Sequence, residues 1–419
     1  MVIITGLIIF LFLLIFYAKF EGHLFSEIFS SALLSGKKSF VVLKIFILIG
    51  AITSSWMISG TIPTIVYYGL KFMSPEYYFV SAFIITSCVS FLLGSSFGTV
   101  GTIGIVLITI GRGLNADLNI AGGAILSGAF FGDRCSPVSS SASLIATLTD
   151  TELYKNIKNM FSTGAITFIL SCALLFIMPK PEIISTEENL LISEIMKYFK
   201  VELLSLIPAI LILICGSLRV NVRVSMALSV FTAVIIATLL QNISIITTLK
   251  TLVLGYTFPH DGPLSEILKG GGVISMMKAS FIIFISCLIS GVLDIISLIS
   301  KIKDKIETFI NEKQLFLITS LTAFVSSCIG CNQSISIVLT ESLMKKAYLK
   351  ANISKENLAL HIENTSVVLA PLIPWNIASL IPMTIIGVTG LAYLKYSFFL
   401  YLLPVVTFIT LLFNKKQEG

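Results

Sequence analysis

Apolar residues in this chain come in long runs, at about 3–18, 43–72, 76–94, 98–111, 118–150, 159–178, 201–217, 222–240, 273–300, 314–343, 355–390 and 394–413. A helix that crosses a bilayer needs about 20 mostly apolar residues. Several runs exceed that and are interrupted at mid-depth by small and polar residues. The interruptions are Gly94-Ser95-Ser96-Phe97-Gly98, Gly132-Asp133-Arg134-Cys135-Ser136-Pro137 and Ala370-Pro371-Leu372-Ile373-Pro374-Trp375-Asn376. Irregular backbone in hydrocarbon leaves N–H and C=O groups that lipid cannot satisfy, so such breaks belong where protein or a polar cavity surrounds them. The pattern predicts an all-α polytopic membrane protein with discontinuous helices.

The runs also repeat. Gly98, Ile103, Ile105, Val106 and Leu107 match Gly330, Ile335, Ile337, Val338 and Leu339 at one offset of 232 (330 − 98), and Ser95 matches Ser327 at the same offset. Ile58-Ser59-Gly60 matches Ile289-Ser290-Gly291, and Ser136-Pro137-Val138 resembles Ala370-Pro371-Leu372, with the offset drifting by only one or two positions. Matches among Ile, Leu and Val are cheap in so apolar a chain. The Gly, Ser and Pro matches are harder to obtain by accident.

Charge sets the orientation of the two halves, because short cytoplasmic loops collect Lys and Arg. Lys301, Lys303, Lys305 and Lys313 precede the broken run 314–343, and Lys345, Lys346 and Lys350 follow it. The equivalent first-half loops hold only Lys71 and Arg112. The halves are therefore expected to have opposite orientation, giving two inverted-topology repeats. Each would carry a helical hairpin, 76–111 and 314–343, and the whole would have about nine full spans besides. The expected divisions are 1–42 (a first helix and cytoplasmic loop), 43–178 (first repeat), 179–272 (linker and connecting helices, with 179–200 a loop) and 273–419 (second repeat). The N-terminus falls outside. The inside positions are 19–43, Lys155 and Lys158, Arg219 and Arg223, and the tail with Lys415 and Lys416.

Composition agrees. Of 419 residues 56% are hydrophobic and 12% charged, with a net charge of +6 and a mean hydropathy of +0.98. An ordinary soluble domain carries about twice that charged fraction. No basic run is dense enough for nucleic acid. The seven cysteines sit mostly in apolar runs, and Cys328-x-x-Cys331 has no second ligand pair nearby, so they read as packing residues. No cofactor is expected. Neither a His-Glu-x-x-His nor a Gly-x-Ser-x-Gly pattern occurs, which argues against an enzyme.

Inverted repeats with broken helices are the signature of alternating-access carriers, whose sites form where the breaks face each other. The first half offers Asp133 and Arg134 beside Ser136, Ser139 and Ser140; the second offers Glu363, Asn364 and Thr365, then Asn376. The hairpin tips add Ser95, Ser96, Ser327 and Asn332. Carboxylates at membrane depth are functional candidates by default, and hydroxyl and amide oxygens suit Na⁺. Asp133, Glu363, Ser140 and Asn364 are the Na⁺ candidates. His361 reads as a packed or interfacial histidine.

At these residues the chain resembles the NhaC family of Na⁺/H⁺ antiporters, which includes malate–lactate exchangers. The resemblance rests on Gly132-Asp133-Arg134-Cys135-Ser136-Pro137-Val138-Ser139, on Pro371-Leu372-Ile373-Pro374-Trp375-Asn376 and on Gly270-Gly271-Gly272-Val273-Ile274-Ser275-Met276-Met277, and it covers roughly residues 40–410. It implies an inverted-repeat ion transporter in a bacterial inner membrane, and a homodimer is compatible with it. It also implies two aspartates that this chain lacks. Ser140 stands where the family has one, and Asn364 where it has the other, so only Asp133 and Glu363 remain as carboxylates that either Na⁺ or H⁺ could occupy. Secondary active transport follows, with Na⁺/H⁺ exchange as one reading and coupled transport of a small organic anion or amino acid as the other.

Overall fold

The computed structural model describes residues 2–137, 139–181, 185–218, 220–260, 262–295 and 311–413. Val138, Arg219, Lys301, Lys303, Lys305, Lys415 and Lys416, all used above, lie outside the described residues. The protein is an all-α polytopic membrane protein. The described residues include one antiparallel two-stranded ladder, pairing Tyr256 with Gly270 and Thr257 with Lys269. Large apolar side chains such as Phe16, Ile169, Phe231 and Leu321 are more than 60% exposed on helix faces, the surface a lipid-facing helix presents.

Among the described residues, four helices are long and apolar enough to cross a membrane, and up to seven if each sharply bent pair counts as one span. Shorter apolar helices such as Ile4–Phe20, Arg223–Leu239 and Phe398–Phe413 accompany them. The bent pairs are Phe46–Ile58 with Thr61–Phe72 (70°), Leu190–Tyr198 with Leu203–Cys215 (96°), and Lys355–Leu372 with Ile377–Ile386 (52°). The first bend turns on Gly60 at φ 77°, where only a residue without Cβ is comfortable.

Both expected hairpins form. The first joins Tyr78–Leu93 to a second arm, Ser96–Thr99 and Val100–Gly104 leading into Ile105–Gly113, through Gly94 at φ 63°. Its arms are antiparallel: the Tyr78 hydroxyl at the start of one donates to Leu107 C=O, 2.8 Å, near the end of the other. The second joins Glu312–Gly330 to Gln333–Lys350. Thr319 meets the Tyr348 hydroxyl at 2.9 Å near its base, and Ser327 meets Ser336 at 2.8 Å near its tip.

Two broken helices fill the space between the hairpins. The first is Leu118–Cys135 followed by Ser140–Thr149. The second is Lys355–Glu363, with short turns to Leu372, followed by Ile377–Ile386. They run antiparallel. Lys355, at the start of the second, pairs with Asp150 past the end of the first at 2.8 Å. At the other end, a Cβ on Gly122 early in the first would lie 3.1 Å from Val388, just past the end of the second. The half-helices beyond the breaks are alike: each has ten residues, an Asn or Ser cap at its start and a left-handed residue at its end (Asp150 φ 55°, Gly387 φ 69°).

Glycine lets the first broken helix lie directly on the first hairpin. A Cβ on Gly132 would stand 2.3 Å from Phe91 N, and one on Gly128 2.6 Å from Phe83 O. Such close approach is how helices associate where lipid offers no hydrophobic drive.

One expectation is corrected. Residues 179–200 are not a plain loop, because Ser185–Tyr198 is helical, with Leu191 and Ile195 buried in the core. Its acidic start and the prolines before it hide a short apolar face.

Candidate functional site

The two breaks meet in the middle of the bundle. Asp133 lies in the last turn of Leu118–Cys135 and is 4% exposed. Its carboxylate collects three donors from three elements: Ser139 Oγ at 3.1 Å, Ser96 Oγ from the first hairpin tip at 3.4 Å, and Gln333 Nε2 from the second hairpin tip at 3.4 Å. Ser141 Oγ donates to the main-chain oxygen of the same residue at 3.4 Å. Ser139 also caps the next half-helix, accepting from the Ser141 and Ala142 N–H groups. The result is a small basket of oxygens around one carboxylate, with the partly positive start of a half-helix beside it.

Arg134 points the opposite way and is fully buried. Its guanidinium donates to Met160 C=O (3.1 Å), Thr163 Oγ1 (3.1 Å), Cys135 Sγ (3.3 Å) and Asn364 Oδ1. The last bond joins the two breaks across 230 residues of sequence. Asn364 completes the link by donating to Thr407 Oγ1 at 3.0 Å. Every hydrogen-bond acceptor among the described residues is neutral, and Arg134 Nε has none. A guanidinium stays charged in a protein, so this is a permanent buried cation.

Glu363 ends Lys355–Glu363 and is also fully buried. Neither carboxylate oxygen has a hydrogen-bond partner among the described residues. An isolated buried carboxylate is expensive when ionised, and carrying a proton relieves that cost.

The remaining sequence candidates divide. Asn376 Nδ2 donates to Ser327 C=O at 2.8 Å while its Oδ1 caps Ile377–Ile386. With Trp375 Nε1 on Cys328 C=O and Ile377 N–H on Cys331 C=O, both 2.9 Å, three consecutive residues satisfy carbonyls that the hairpin helix leaves open at its end. The Pro-Leu-Ile-Pro-Trp-Asn string is thus a staple between the second break and the second hairpin tip. Ser95 caps the second arm of the first hairpin, accepting from Gly98 N–H at 3.2 Å, and Asn332 caps Gln333–Lys350. Thr365 Oγ1 bonds back to His361 C=O at 2.7 Å, and Ser136 is buried in the turn after Cys135. Ser140 is exposed, so the oxygens beside Asp133 come from Ser139, Ser96 and Ser141 instead. His361 is packed as expected: its Nδ1 meets the Tyr348 hydroxyl at 2.8 Å and its ring meets Phe316 edge-on.

Four participants lie outside the candidates read from the sequence: Ser141, Gln333, Thr163 and Thr407, of which Ser141 belongs to the same serine run as Ser139 and Ser140. Gln333 follows Asn332 at the second hairpin tip, and nothing in the sequence separates it from its polar neighbours. Thr163 and Thr407 stand alone on apolar helices, where a threonine ordinarily bonds to its own helix backbone; nothing in the sequence marks them.

A family model for the Na⁺/H⁺ antiporter family matches residues 128–415, a stretch holding both breaks and the second hairpin. The chain belongs to the Na⁺/H⁺ antiporter family. It is 30% identical over 393 residues to a Na⁺/H⁺ antiporter of Haemophilus influenzae, covering 90% of this chain and 83% of that one. It is 29% identical over 396 residues to the Na⁺/H⁺ antiporter NhaC of Alkalihalophilus pseudofirmus, covering 93% and 85%. A malate-2H⁺/Na⁺-lactate antiporter of Bacillus subtilis is 28% identical over 358 residues, covering 84% and 76%. Family membership makes this a transporter.

Proposed function

We propose that the protein is a secondary active carrier that exchanges Na⁺ for H⁺ by alternating access, with Asp133 as the ion ligand and Glu363 as the proton carrier. The observation that carries this reading is the different surroundings of two buried carboxylates about one buried cation. Asp133 has an oxygen-rich basket of the kind Na⁺ uses. Glu363 has none, and neutralises by taking a proton. Asp133, Glu363 and Arg134 together carry one negative formal charge, which one bound monovalent cation balances.

The repeats run over 43–178 and 273–419 in this account, with 179–272 connecting them, and the antiparallel broken helices support their inversion. The first-half hairpin opens outside and the second-half hairpin inside, as the lysines require. The cell membrane of a bacterium is the expected location.

The rival reading, a carrier of organic anions, is suggested by the lactate- and malate-exchanging relative and by Arg134 as an anion ligand. Arg134 argues against it: both terminal nitrogens are already bonded to protein and the side chain is fully buried.

Proteoliposomes with an imposed pH gradient and an enclosed pH dye test the proposal. Na⁺ added outside should dissipate the gradient, and Asp133→Asn and Glu363→Gln should abolish the response. A gradient that Na⁺ leaves untouched, while malate, lactate or an amino acid collapses it, would favour the rival.

A further inference from the structure

Each break has one acid in the last turn of the helix that leads into it. Asp133 lies in the last turn of Leu118–Cys135, Glu363 closes Lys355–Glu363, and both are buried. A helix C-terminus carries partial negative charge, and half-helix ends at a break are where carriers hold their coupling cations. Two such acids make two places for a positive charge. Around Asp133 the chain supplies only neutral hydroxyl and amide groups. Beside Glu363 it brings a cation of its own.

Arg134 has the surroundings of a bound ion. Its backbone belongs to the first break, yet its guanidinium ends at the second, on Asn364 Oδ1, the residue after Glu363. Its other oxygen acceptors, Met160 C=O and Thr163 Oγ1, both at 3.1 Å, come from the helix Leu153–Ile177. All three oxygens are neutral. Gly164 keeps the place open, because a Cβ there would stand 2.9 Å from Arg134 Nη1. A buried charge is costly unless another charge compensates it. A guanidinium does not lose its proton in a protein. One of the two positive charges that the acids call for is therefore built in beside Glu363, and the other is left to Na⁺ or H⁺.

We propose that Arg134 is a resident cation. Its guanidinium occupies the cation place of the second break, so each chain takes up one Na⁺ where its two buried acids would otherwise take two. The inference rests on Asp133 as the Na⁺ ligand and Glu363 as the proton carrier.

The test is equilibrium binding of radioactive Na⁺ to the purified full-length protein in detergent at alkaline pH. Wild type should hold about one Na⁺ per chain and Arg134→Ala about two, one for each buried carboxylate left without a built-in counter-charge. Guanidinium chloride at low millimolar concentration should displace one of the two from the variant and none from wild type. An Arg134→Ala protein that binds one Na⁺ or none, unaffected by guanidinium, would show a purely structural arginine and overturn the inference. If Arg134→Ala does not fold, the double variant Arg134→Ala with Glu363→Gln decides. It keeps the net charge of the wild type, so the resident cation becomes dispensable, and the protein should fold and bind about one Na⁺. A double variant that also fails to fold would mean that the bonds to Met160, Thr163 and Asn364, not the charge, are what the arginine provides, and would overturn the inference. If wild type binds no Na⁺, that failure belongs to the ion assignment. The resident cation is then read from the thermal midpoint of Arg134→Ala, which low-millimolar guanidinium should raise and choline should not. A midpoint that guanidinium leaves unmoved would overturn the proposal.

Discussion

Asp133 and Glu363 look alike in the sequence, two acids in apolar runs, and only their neighbours separate them. The serines that meet Asp133 come from its own turn and from a hairpin tip. Ser96→Ala removes one of its oxygens without touching a helix cap, and should raise the KM for Na⁺ by about tenfold. Ser140→Ala should leave it within about twofold, since Ser140 is exposed. Exchange kinetics with each variant check both. Asn364 was legible as a departure from the family's pattern but not as the partner of Arg134, because that bond depends on how two distant breaks cross. Replacing it by leucine takes from Arg134 Nη2 one of its two acceptors, leaving Thr163 Oγ1, and takes from Thr407 Oγ1 the donor it accepts from, in a dry interior. Asn364→Leu should destabilise the fold by about 2–4 kcal/mol, read as a lowered thermal midpoint in detergent. An unchanged midpoint would show that water replaces the amide.

Element by element, the breaks were legible and their geometry was not. Gly94, Ser95 and Ser96 announce a hairpin tip, and Pro371 and Pro374 announce an interrupted helix. The role of Trp375 and Asn376 as donors to the open carbonyls of Glu312–Gly330 could not be read, because it requires knowing which helix end lies opposite. The helix Ser185–Tyr198 was missed for a plainer reason: its acids outweigh the few apolar residues that it buries. Packing between elements sets a further prediction. Gly132→Ala forces a methyl into the backbone at Phe91, and a close-packed interface has no way to give. The variant should lose about 1–3 kcal/mol of stability or more and accumulate poorly in membranes. Gly6→Ala, where nothing lies within 4 Å, should not.

At the scale of the molecule, a handful of lysines and glycines carried most of the architecture. The repeated Gly and Ser positions point to two similar halves, and the unequal lysines point to their opposite orientation. The antiparallel broken helices agree with that, Lys355 meeting Asp150 at one end and Gly122 meeting Val388 at the other. What no local pattern could show is the exchange of contacts between halves: Arg134 with Asn364, Gln333 with Asp133, Arg112 with Ile386 and Lys345 with Leu148. Each joins residues about 200 or more positions apart, so each depends on the fold as a whole.

The central claim is that Na⁺ and H⁺ compete for the carboxylates at the crossed breaks. The most direct measurement is proton release when Na⁺ is added to the purified protein in weakly buffered detergent, followed with a pH dye. The account predicts that Na⁺ binding expels protons from the wild type, that K⁺ does so far less, and that Asp133→Asn binds no Na⁺ and releases none. Na⁺ binding without proton release, or release undiminished in Asp133→Asn, would contradict it.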